Sequence, residues 1–148
     1  MSGPTEAAAL PPRTRKQSHH TQWAGQFAVA AELAKRRYEV AFTMGNHTPL
    51  ADLMCISPEK TAFLIDVKAM EKPNFWLIRQ RAEVRHDLYY AFVLINQTVP
   101  TRIFIASHAD VHRLVEEYVA VNERRKGYPG VNWSTVHPFE NMWDRLPA

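Results

Sequence analysis

With 148 residues, 46% of them hydrophobic and 22% charged, the chain has the length and composition of one globular domain rather than two. No apolar run approaches the ~20 residues that a membrane-spanning helix needs. The formal net charge of +3 is unevenly spread, because residues 1–20 hold +2 of it and the rest of the chain only +1, so total charge gives weak support to nucleic-acid binding. The lone Cys55 cannot close an intrachain disulfide, and the first residues contain no apolar stretch of the secretory kind, so a cytoplasmic location is expected.

Residues 1–20 are rich in Pro, Ala and Ser without apolar periodicity, which predicts a disordered, basic leader and leaves 21–148 as the domain. From 21 to 37 the spacing of Trp23, Phe27, Ala30 and Ala34 predicts a helix with that stripe facing the core. A strand at 38–42, a loop at 43–50 marked by Gly45, Asn46 and Pro49, and a strand at 51–56 follow. After a turn at 57–60, the run Ala62-Phe63-Leu64-Ile65 with Val67 predicts a strand over 61–68 buried on both faces, in the middle of a sheet. Residues 74–87 are compatible with a loop or a short helix. Two further strands are expected at 88–95 and 102–106, and Ser107 suits the N-cap of a helix over 109–125 that Gly127 would stop. The C-terminal aromatic residues Trp133, Phe139 and Trp143, with Leu146, read as a strap packed on the core. The order implies an α/β domain, a sheet of about five strands flanked by helices.

Asp66 and Lys68 interrupt the most apolar strand, where charges are disfavoured unless paired or bound to metal. Separated by one residue, they project from the same face. A hairpin closing through 57–60, with Ser57 opposite Thr61, would also set Asp52 opposite Asp66, whereas a slip of one residue would send Asp52 to the other face. Two close carboxylates repel unless something positive lies between them, and Mg²⁺ or Mn²⁺ takes oxygen ligands of this kind. Such an ion polarises a phosphoryl oxygen and acidifies a bound water, while an ammonium such as that of Lys68 orients the water or stabilises charge on phosphorus. Phosphodiester hydrolysis is therefore one reading of these residues, and a structural Asp66–Lys68 ion pair is the other.

The succession of helix, strand, Asp-bearing strand and Asp-Val-Lys strand resembles the PD-(D/E)XK nuclease superfamily, in particular its small Holliday-junction-resolvase-like and restriction-endonuclease-like members. The residues that carry the resemblance are Gly25-Gln26-Phe27-Ala28-Val29 with Glu32-Leu33, Ala51-Asp52-Leu53, and Leu64-Ile65-Asp66-Val67-Lys68, within a span from about Trp23 to Tyr118. It implies a restriction-endonuclease-like core with a mixed sheet, and a magnesium- or manganese-dependent deoxyribonuclease acting on duplex or branched DNA. Asp52, Asp66 and the Val67 carbonyl would bind the metal, and Lys68 would serve the attacking water. Cutting both strands would call for a homodimer. Ala51 stands where the family places Pro, and Gln26 stands where many members place a helix Glu that completes the metal site. At about 100° per residue, Glu32 lies roughly 160° from the centre of the apolar stripe, on the solvent side, and cannot substitute. Gln26 therefore motivates an alternative, a catalytically impaired nuclease fold retained for nucleic-acid binding or protein interaction.

Lys72, Arg79, Arg81 and Arg85 follow the Asp-Val-Lys strand, and His47 precedes Asp52, so all five are candidates for phosphate contacts, although such residues are more often ordinary solvated surface. Trp76 would stack a base or cover a sheet edge. His108 and His112 read as a solvated first helical turn rather than a metal site, and Cys55 as an inert core thiol.

Overall fold

The computed structural model of the chain describes residues 15–43, 51–122 and 128–148. His47 and Gly127 lie outside them. Helix α1 (Arg15–Lys35) leads into strands β1 (Glu39–Phe42), β2 (Leu53–Ile56) and β3 (Ala62–Met70). Strands β4 (Phe75–Leu77), β5 (Leu88–Leu94) and β6 (Arg102–Ser107) precede helix α2 (His108–Val121), strand β7 (Gly130–Asn132) and a short helix α3 (Trp133–Val136). The main sheet has the order β1-β2-β3-β5-β6, antiparallel throughout except for the parallel β3–β5 pair. The domain is thus α/β with a mixed five-stranded sheet, as the sequence led one to expect.

Apolar residues of β3 and β5 alternate between two covered faces, which is what a central strand pair requires. One face carries Ile65, Val67, Ala91 and Val93 beneath Val29 and Leu33 of α1. The other carries Tyr90, Phe92 and Leu94 beneath Val111 and Val115 of α2. The C-terminal strap contributes to both, with Val136 and Phe139 on the second face and Trp143 and Leu146 on the first. It is fastened by Arg102, whose guanidinium grips both carboxylate oxygens of Glu140 at 2.7 and 2.8 Å and lies over the Trp133 ring.

The β2–β3 hairpin has the expected register. Ser57 N–H donates to the Thr61 carbonyl at 2.8 Å and Lys60 N–H to the Ser57 carbonyl at 2.9 Å. The buried Ser57 hydroxyl then accepts from Thr61 N–H at 2.9 Å, and Lys60 takes the left-handed φ of 71° that closes the turn. Leu53 pairs with Ile65, so Asp52, one residue before β2, meets β3 at Asp66.

Several expectations are corrected. Helix α1 begins at Arg15, inside the segment read as leader. Its buried stripe runs through Gly25, Gln26, Val29 and Leu33, while Ala34 is exposed and Phe27 is 58% exposed. The true stripe is therefore turned from the expected one by roughly one residue's rotation, about 100°. Residues 75–77 are neither loop nor helix but a strand, β4, paired with β7 in a second sheet. Trp76 is buried against Phe92 and Trp133, so it cannot stack a base. His108 is buried rather than solvated, its Nδ1 accepting from Arg85 N–H at 2.8 Å. Helix α2 starts at His108 with the expected cap, Ser107 and Asp110 forming a reciprocal capping box.

Candidate functional site: an acidic sheet edge

Among the described residues, β3 pairs with β2 only as far as Ile65, although it continues to pair with β5 as far as Met70. The exposed backbone edge left by this early end of β2 must find other partners. Side chains supply them. Asp52 Oδ2 accepts from Val67 N–H at 2.7 Å, and Gln22 Nε2 donates to the Val67 carbonyl at 2.8 Å. Gln22 Oε1 accepts more loosely from Ala69 N–H at 3.4 Å. Gln26, one turn along α1, donates its Nε2 to Asp52 Oδ1 at 3.4 Å. Helix and β3 approach closely enough for this because Gly25 has no side chain: a Cβ there would stand 2.6 Å from the Ala69 Cβ.

Asp52 reaches the same edge as Asp66 and Lys68. The Asp66 carboxylate, with a side chain 13% exposed, holds the Lys68 ammonium at 3.0 Å. Burial pushes the Asp52 carboxyl up to about 6, with the Val67 amide opposing, the Asp66 carboxylate adding to the rise and Lys68 opposing it. Asp52 and Asp66 are near enough that a proton on one is hydrogen-bonded by the other. This edge thus brings two acidic side chains against one lysine, and Asp52, partly buried, is poised to hold a proton or exchange it for a cation.

The fit to a divalent ion can be judged from the donors. Asp52 and Asp66 provide hard oxygens, and the Val67 carbonyl keeps one lone pair free beside the Gln22 bond. Gln26 presents an N–H toward Asp52 where an acidic residue would present another oxygen. Among the described residues no group of three or more His, Cys, Asp or Glu is placed to hold a metal ion.

Tyr90, paired with Asp66 across β3–β5, is a neighbour of the site that sequence reasoning missed. Its hydroxyl is pushed up by burial and by Asp66, while a hydrogen bond with Arg81 and the charges of Arg81 and Lys68 oppose the rise. Arg81 is thereby linked to the carboxylate edge. The other basic candidates are less closely involved. Lys72 and Arg79 are exposed, and Arg85 is gripped by Asp87 through two bonds of 2.9 and 2.7 Å. Gln22 was also missed, although its spacing of four from Gln26 puts two amides on one helical face. Cys55 is a buried core residue, its thiol pushed up to about 12 by burial.

The chain is an α/β domain in which one sheet edge brings together two carboxylates and a lysine. No family model, curated protein or solved structure matches the chain. Among the described residues no helix is long and apolar enough to cross a membrane.

Proposed function

We propose that the chain is a divalent-metal-dependent nuclease of the PD-(D/E)XK plan, hydrolysing phosphodiester bonds in DNA. The observation that carries this reading is the meeting of Asp52, just before β2, with Asp66 and Lys68 of β3 at one sheet edge, in the register of the β2–β3 hairpin. Asp52, Asp66 and the Val67 carbonyl would hold Mg²⁺ or Mn²⁺, which when bound supplies a Lewis acid and an acidified water. Lys68, anchored by Asp66, is positioned to orient that water and to stabilise negative charge on phosphorus. Arg81, linked to the edge through Tyr90, is the basic candidate best placed to meet a phosphate of the substrate. Severing both strands of a duplex would take a second copy of the chain.

The test is incubation of the purified chain with linear, branched and single-stranded DNA in Mg²⁺ or Mn²⁺. Cleavage is expected, slowed by roughly 10²-fold or more in Asp66→Asn and in Lys68→Ala. Failure to cut any substrate with either ion overturns the reading, as does an Asp66→Asn protein that cuts as fast as wild type. One observation favours a second reading, a nuclease fold kept for binding alone: Gln26 directs a donor, not an acceptor, at Asp52. Affinity for DNA without metal-dependent turnover would select it.

A further inference from the structure

The stripe that periodicity assigns to the core, Trp23 and Phe27, lies outside it. Phe27 is 58% exposed, Trp23 only partly covered, and the two rings stack at 5.6 Å with planes 24° apart. The stack is extended at both ends. His19 meets Trp23 edge-on at 6.0 Å, and Phe42 of β1 meets Phe27 at 5.4 Å. The indole is held in place, since its Nε1–H donates to His19 Nε2 at 2.8 Å. The buried face of the helix that carries this aromatic ladder lies elsewhere, and Phe27, although it meets Phe42, leaves more than half of its surface in water.

Its position and surroundings identify what it suits. Phe27 adjoins Gln26, whose amide reaches Asp52, and Phe42 adjoins Thr43, whose N–H donates to the Asp52 carbonyl at 3.0 Å. The inner end of the ladder is thus next in sequence to two residues that bond to Asp52. From Arg15 to Ala31 the helix contains Arg15, Lys16, His19 and His20 and no Asp or Glu, so the ladder lies on a stretch without negative charge. Glu71, which reaches this end of the helix, accepts from Thr21 on the sheet-facing side. Exposed aromatic faces are the elements on which unpaired bases stack, whereas the bases of a duplex are stacked on each other and offer no such faces.

We infer that the Trp23–Phe27 ladder is a stacking platform for unpaired nucleotides, so that the substrate of the Asp52–Asp66 edge is single-stranded nucleic acid or the single-stranded part of a branched one. The inference rests on the nuclease reading only for the word substrate. Binding is measured without metal, in a chelator, by fluorescence anisotropy of labelled oligothymidylate and of a blunt duplex of equal length. The expected result is tighter binding of the single strand, weakened roughly five- to hundredfold by Phe27→Leu and retained by Phe27→Tyr, because leucine keeps apolar contact but loses the ring face. The single strand should also quench tryptophan fluorescence in wild type and much less in Trp23→Phe. Equal affinity for strand and duplex overturns the inference. So does a Phe27→Leu protein, folded by circular dichroism, that binds like wild type. If Phe27→Leu instead dissolves a dimer without changing oligonucleotide affinity, the platform is an interface between copies and the inference fails. Strand binding that depends on Phe27, with no cleavage in Mg²⁺ or Mn²⁺, removes the nuclease reading and leaves the platform. Cleavage with no preference for single strands does the reverse.

Discussion

A carboxyl group withdrawn from water beside another carboxylate ionises at a cost, and the fold meets that cost at Asp52 only in part, through the Val67 amide and Lys68. The folded-state value of about 6 lies above the usual carboxylate range near 4. Between roughly pH 4 and pH 6 the unfolded chain therefore loses this proton while the folded chain keeps it, and stability falls as pH rises through that window. Above about pH 6 the group is ionised in both states and the loss is complete, at roughly 2–3 kcal/mol for a shift of this size. Asp52→Asn removes the titration and keeps an oxygen for the Val67 N–H. In a chelator at pH 7.5, urea unfolding should show the variant more stable than wild type by up to about 2 kcal/mol, with the gap closing toward pH 4. A gap independent of pH would mean that Asp52 ionises freely in the folded chain.

At the scale of the element, helix α1 does the work that a longer β2 would have done. Its Gln22 amide bonds to the β3 backbone, Gln26 reaches the Asp52 carboxylate that does the same, and Gly25 permits the approach. Alanine is favoured over glycine inside a helix by about 1 kcal/mol. Here the added methyl would collide with Ala69, and pushing the helix off the sheet costs about 1–3 kcal/mol by the precedent of overpacked cores. Gly25→Ala is expected to lower stability and to slow any cleavage, while Gly25→Ala with Ala69→Gly recovers both. Thermal unfolding of the two variants measures the coupling, and additive losses would deny the contact its role. The same helix explains what the sequence withheld. The β2–β3 register was legible because a four-residue turn with Ser57 and Pro58 fixes it, and Asp52, Asp66 and Lys68 followed from that register. The burial stripe of α1 was not legible, because its sheet-facing side includes two amides and a glycine chosen for a backbone edge. The rings of Trp23 and Phe27 supplied a stronger apolar signal from another side of the cylinder. β4 and β7 escaped for a related reason: three-residue strands carry too few residues for a period, and their pairing joins segments more than fifty residues apart.

For the whole molecule, the carboxylate edge exists only when helix, hairpin and central strand are assembled, since Asp52 and Asp66 meet through strand pairing and Gln26 arrives from another element. A ligand that needs all of them binds the folded chain and not the unfolded one, so it raises the melting temperature in proportion to the logarithm of its concentration. At a Mn²⁺ concentration about a hundredfold above its dissociation constant the gain is about 2.7 kcal/mol, or roughly 5–10 °C for a chain of this size. That rise should vanish in Asp66→Asn, which removes one of the two charged ligands. It should shrink below about pH 6, where a proton on Asp52 competes with the ion. Gln26→Glu provides the sharper discrimination, because it replaces the N–H directed at Asp52 with an oxygen and adds a third carboxylate to the edge. The variant is expected to be less stable than wild type in a chelator, through added repulsion, and to gain more from Mn²⁺ than wild type does. Calorimetric scans in chelator and in Mn²⁺ give both quantities. If neither protein responds to the ion while both remain folded, the edge does not bind a divalent cation, and Asp66 and Lys68 are an ion pair that serves the sheet.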